Sequence, residues 1–287
     1  MGIRVRNALA VILLALAATG CGAADTFDAD ADAVAAAATK TAEAGSARVD
    51  YELRMDMGSR RVTMGGVGEF SFGDDARGRM TLDFPSFGPG ARGGSIELRM
   101  LGDEVFMRLP QLVGALPQGK SWLAIDTRKA AKAAGLGSLD FSKLGRQQDP
   151  AQMLRLLRAS STSVEEDGEV DVRGVRTTRY TAKLDLEKSI EASATELGLD
   201  AKQREELRAT TRELKQSSVG EIPVEVYVDD DGLLRRFVVS METSVGGEDQ
   251  SMVARTDYFD FGVPIDVKAP PAATVFDYTV HLPGAGG

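Results

Sequence analysis

The sequence predicts an α+β fold dominated by antiparallel sheet, on three observations. Apolar and polar residues alternate over long stretches, as in Val49, Tyr51, Leu53, Met55 and Met57 against Asp50, Glu52, Arg54 and Asp56. A period of two gives a strand one apolar and one wet face. Such stretches follow one another across short turns, the order of a meander rather than of strands joined by crossover helices. Only a few segments carry helical spacing and capping signals instead.

The chain opens with two basic residues, Arg4 and Arg6, and an apolar run from Ala8 to Ala17. At about ten residues this run suits the core of a signal peptide and is too short for a membrane span, which takes ~20. It closes on Ala18-Thr19-Gly20-Cys21, small residues before the only cysteine of the chain. We therefore expect residues 1–20 to be a lipoprotein signal peptide. Cys21 is then the lipidated N-terminus, held by acyl chains such as palmitate that contribute ~0.8 kcal/mol per buried CH2.

Residues 21–31 are small and acidic and read as a flexible tether, and residues 32–287 as a single domain. Asp32 to Ala44 is rich in alanine, with Asp30 or Asp32 as N-cap and Gly45 just past the end, which predicts a helix whose mostly alanine face packs closely on something flat. Strands follow through Val49 to Met57 and through Val62, Met64, Phe70 and Phe72. Gly65, Gly66 and Gly68 leave room in the second for a bulge or sharp bend. Met80 to Phe84, Ile96 to Met100, Val105 to Leu109 and Trp122 to Asp126 continue the meander.

Two short helices are expected next. One runs from Thr127 to Ala134, and one starts at Asp149-Pro150-Ala151-Gln152, with Asp as cap and Pro in the first turn. Strands resume at Ser163 to Glu166, Glu169 to Arg173 and Arg176 to Leu186. Ser189 to Ser217 reads as a polar helical region broken at Gly198. Three more strands, Ile222 to Val228, Leu233 to Val245 and Ser251 to Phe261, precede a proline-bearing extended stretch from Val263 to His281.

Composition narrows the function. At 43% hydrophobic and 27% charged the chain is globular in character. Its formal charge of −9 becomes −11 when Arg4 and Arg6 are removed with the signal. Nucleic acid is not an expected partner, because a polyanion needs a basic footprint. One cysteine allows no internal disulfide, so the core must stabilise the fold.

Nothing in the sequence reads as catalytic or metal-binding, and we expect no cofactor, no metal and no enzymatic activity. Asp229-Asp230-Asp231-Gly232 lacks the alternating aspartates and distal glutamate of a calcium loop and reads as a hairpin turn. His281 is the sole histidine, which argues against a histidine-based triad or metal site. Gly65-Gly66-Val67-Gly68 does not open a helix and is no phosphate loop. What stands out is methionine on the apolar face, where sheet cores ordinarily use Val and Ile. Methionine either lines an adaptable ligand surface or fills gaps over glycine.

Several stretches together resemble the LolA-like actinobacterial lipoproteins of the LppX/LprAFG group. They are Cys21 and its lipobox, the alanine-rich helix, the Met/Phe strands, and Gly174 to Tyr180. Further on they include Ile222 to Asp229, Gly232 to Arg236, and Tyr258 to Val267 followed by Ala269-Pro270-Pro271. The resemblance implies a strongly curved antiparallel sheet, a half-barrel, with helices packed in its concave face and an apolar cavity between them. It favours the ligand-lining role, with Met55, Met64, Phe70, Met80, Leu82 and Met100 as lining residues. The function implied is a lipid or lipoglycan carrier at the outer face of the cytoplasmic membrane. The alternative is a non-catalytic accessory or sensory lipoprotein that binds an envelope transporter or sensor protein.

Overall fold

The computed structural model describes residues 23–279 apart from residue 59 and segments 74–75, 86–92, 110–115, 134–149, 197–200, 202–203, 206–220 and 246–247. Cys21, Asp149, His281 and the later part of the region Ser189 to Ser217 lie outside these residues.

Helix α1 (Ala23–Glu43) begins at Ala23 rather than at Asp32, so most of the acidic stretch expected as a tether is helical. Alanine is the best helix former, and aspartates in the opening turns complement the helix dipole. Tertiary bonds hold this end. Asp30 Oδ2 accepts the Glu166 N–H at 3.0 Å, and Asp32 pairs with Arg158. At the other end Gly45 sits at φ +74°, as its position after the helix predicts, and donates its N–H to the Ala42 carbonyl at 3.0 Å.

Six strands follow in a meander: β1 (Ser46–Met57), β2 (Arg60–Ser71), β3 (Arg77–Phe84), β4 (Gly94–Leu101), β5 (Glu104–Arg108) and β6 (Trp122–Asp126). Helices α2 (Thr127–Ala133) and α3 (Pro150–Ser160) come next. Then β7 (Ser161–Val172), β8 (Val175–Asp185), α4 (Leu186–Glu196), β9 (Glu221–Asp229), β10 (Leu234–Val245) and β11 (Glu248–Phe259) form a second meander. The pairing of β11 with β1 joins the two, and with a last strand β12 (Val275–Asp277) beside β6 they form one twelve-stranded sheet, in the order β12-β6-β5-β4-β3-β2-β1-β11-β10-β9-β8-β7.

Two differences from the sequence reading have simple causes. The stretches around Glu166 and Glu169 form one strand, β7, with a register shift between them. Gly168, at φ +76°, absorbs the irregularity that looked like a turn. The last strand, β12 (Val275–Asp277), pairs parallel with β6 and was invisible in the extended tail, because three residues carry no readable period.

The glycines of β2 work differently from the bulge expected of them. The β1–β2 register is unbroken from Ser46–Ser71 to Met57–Arg60. A Cβ at Gly66 would fall inside contact distance of the Thr81 carbonyl, and one at Gly68 would stand 2.8 Å from the Arg79 carbonyl. Both glycines face the same side as Val49 and Phe70. Losing side chains on that side lets β2 and β3 close toward it, so the sheet is strongly curved and that face is concave.

The main core lies between this face and the helices. Val34, Ala37 and Ala38 of α1 join Leu154 and Leu157 of α3 over Val164, Val224 and Val226, all 0–1% exposed. The alanine face expected of α1 is therefore used mainly against another helix, where small side chains permit close approach. Phe72, just past the end of β2, and Met80 and Met100 of β3 and β4, on the other side of β1, pack against the same cluster, which requires the sheet to wrap around it. Thr41, fully buried, accepts the Leu234 N–H at 3.0 Å and pins the end of α1 to β10.

A second, smaller core of Phe106, Trp122 and Ala124 lies on the convex face, with Val275 of β12 packed against it. Arg99 stacks over Trp122 at 4.6 Å and donates to the Lys268 carbonyl at 3.0 Å, so the C-terminal stretch straps this patch.

Candidate ligand-binding face

Residues directly opposite in an antiparallel pair share a face, so the register places each expected lining residue. Met55 stands opposite Val62 on β2 and Met252 on β11. Met64 faces Leu53, Leu82 faces Gly66 and Ile96, and Met80 faces Gly68 and Leu98. Met100 faces Gly78 and Val105, and Phe70 faces Ala47 and Gly78. All six therefore lie on the concave face.

They divide into two groups there. Phe70 is 4% exposed and belongs to the main core, against which Met80 and Met100 also pack. Met55, Met64 and Leu82 are half-buried and belong to neither core cluster. Among the described residues the helices concentrate over β7 to β10, leaving these three on the more open part of the face. Met57, at the rim, is 38% exposed. Leu53, Ile96, Leu98, Met107 and Met252 share the face and were not named as lining residues from sequence. The alternation contained them, but only the register shows which strands adjoin.

The convex face is saturated with charge pairs. Arg236 holds Asp257 through two bonds of 2.6 and 2.7 Å, and Asp257 is 2% exposed. The bond to Asp257 and that charge raise the Arg236 pKa despite the opposing effect of burial. Arg79 and Arg48 both meet Glu69, Arg173 meets Asp50, and Arg54 meets Glu52. Burial raises the Tyr227 pKa, as does the bond of 2.6 Å its hydroxyl donates to Glu225.

The acidic turn after β9 is the hairpin expected. Asp229 Oδ1 accepts the N–H groups of Asp231 and Leu233 at 3.1 and 2.8 Å, and Oδ2 accepts from Arg235. Gly232 takes the left-handed conformation at φ +80°. The Asp229 carboxylate is thus committed to the turn. Among the described residues no group of three or more His, Cys, Asp or Glu side chains is placed to hold a metal ion, and no helix is long and apolar enough to cross a membrane.

No family model matches the chain. An uncharacterised 31.2 kDa protein of Streptomyces griseus, from the rplA-rplJ intergenic region, is 26% identical over 249 residues, 85% of this chain and 77% of that one. A protein of Streptomyces coelicolor named "Putative lipoprotein" is also 26% identical over 249 residues, covering 85% and 73%. Among solved structures the chain is similar to the Mycobacterium tuberculosis lipoprotein LppX. The TM-score is 0.45 at 12% identity, covering 84% of this chain and 99% of that one. The chain resembles the LolA-like lipoproteins of the LppX/LprAFG group. The sequence led to the same resemblance.

Proposed function

We propose that this protein is a non-catalytic cell-envelope lipoprotein that binds or carries a lipid or lipoglycan, its acyl chains lying against the open part of the concave face. The observation that carries this reading is the half-burial of Met55, Met64 and Leu82 on one apolar stretch of the concave face, with the helices, among the described residues, gathered over the other half. Acyl chains suit such a surface because they need no hydrogen bonds and gain from leaving water. Methionine adapts to chains of different shape. In this reading Cys21 carries the acyl anchor at the outer face of the cytoplasmic membrane, and residues 32–287 act as one domain. The signal-like start of the sequence and the lipoprotein name of the Streptomyces coelicolor relative support the anchor.

The test is native mass spectrometry of the processed protein purified from its own envelope, with organic extraction of what co-purifies. We expect reproducible acyl species that are lost when Met64→Trp and Met80→Trp fill the face. A protein that is empty and takes up no envelope lipid would overturn the reading and point to a protein partner.

A further inference from the structure

Between β6 and β10 the concave face outside the core is apolar except at two places. One is the rim, where Arg60 and Gln250 stand opposite Met57, Thr243 opposite Gln250 and Glu248 opposite Val245. The other lies well inside: Tyr51 on β1 stands opposite Thr256 on β11 and opposite Gly66 on β2. On one side of this pair Val49 and Tyr258, 3% and 4% exposed, close the core. On the other, Leu53 and Ala254 begin the half-buried stretch that leads to Met55 and Met252. The two hydroxyls mark the boundary between core and open face.

Both residues are half-buried, and neither hydroxyl meets a hydrogen-bond partner among the described residues. Gly66 brings no side chain against the Tyr51 ring from the β2 side. Burial raises the Tyr51 pKa, which keeps the phenol a donor at neutral pH. A ligand laid along Leu53 and Met55 would strip water from both hydroxyls. Pure hydrocarbon would leave them unpaired at a cost, whereas a carbonyl oxygen at that depth would satisfy them. From Tyr51 to Met57 the strand rises about 20 Å, room for a hydrocarbon chain to run from such a carbonyl to the rim.

We infer that Tyr51 and Thr256 donate hydrogen bonds to the ester or amide carbonyl of an acyl lipid, so that the face selects acyl lipids over alkyl ethers of the same length. This rests on the lipid-binding reading. The probes are monodecanoyl glycerol and monodecyl glycerol ether, which share chain and headgroup and differ at the carbonyl. Their affinities are measured for the processed protein and for Tyr51→Phe, Thr256→Val and the double variant, each checked by circular dichroism and thermal melting.

The wild type is expected to prefer the ester roughly tenfold. Each single variant should lose part of that preference and the double variant all of it, with ether binding rising as the hydroxyls it leaves unpaired are removed. Equal wild-type affinity for the two probes, or a preference that survives in the double variant, overturns the inference and leaves lipid binding intact. Binding of neither probe, nor of any envelope lipid, overturns both.

Discussion

The Phe70 ring occupies the space over Gly78, its partner on the neighbouring strand. A Cβ at Gly78 would fall inside contact distance of the Phe70 ring, with the Glu69 carbonyl 3.0 Å away. The ring covers backbone that glycine leaves bare. Gly78→Ala should destabilise the protein by about 1–3 kcal/mol through overpacking. Urea unfolding checks this, and Phe70→Leu in the same background should recover part of the loss if the clash is with the ring.

Thr41 ties α1 to the sheet through one buried bond. Replacing it with valine leaves the Leu234 N–H without its acceptor in a dry site, at a cost of about 1–3 kcal/mol. Thr41→Ser keeps the acceptor and should cost less. Hydrogen exchange at Leu234 should accelerate in the valine variant and not in the serine variant.

The pair between Arg236 and Asp257 should matter more than the exposed pairs around it. Asp257→Ala strands a half-buried guanidinium, with an expected loss of about 3 kcal/mol. Arg61→Ala, which breaks an exposed pair with Asp56, should change stability by less than about 1 kcal/mol. Parallel denaturation curves decide between these magnitudes.

Asp126 gives a pH dependence whose sign follows from its surroundings. Desolvation opposes its ionisation, but the Lys129 N–H bond at 3.0 Å, the Lys129 ammonium and Arg128 outweigh it and lower the pKa. A carboxyl whose folded pKa is lowered stabilises the protein above its unfolded value of about 4 and loses that contribution as pH falls through the folded value. The stability difference between wild type and Asp126→Asn should therefore be constant near neutrality and shrink below about pH 4. A difference that persists unchanged to pH 2 would contradict this.

The alternation that makes each strand two-faced, the helix stop at Gly45 and the turn at Asp229 to Gly232 were all legible in the sequence. Each rests on residues close together in the chain, where spacing alone fixes which side chains share a face or which backbone must turn left-handed. The extra length of α1 was less legible, because the anchors of its early turns, Glu166 and Arg158, lie far along the chain. The glycines of β2 could be seen, yet their use for close approach depends on the carbonyls of β3.

The chain by itself determined that one face of every long strand would be apolar and rich in methionine. The tertiary structure decided which part of that face the described helices bury and which part they leave half-buried. It also decided that Tyr51 would meet Thr256, more than two hundred positions away in sequence. The physical reason is register: a period of two names the face, while only pairing between distant strands, and the curvature their glycines permit, sets what stands beside what.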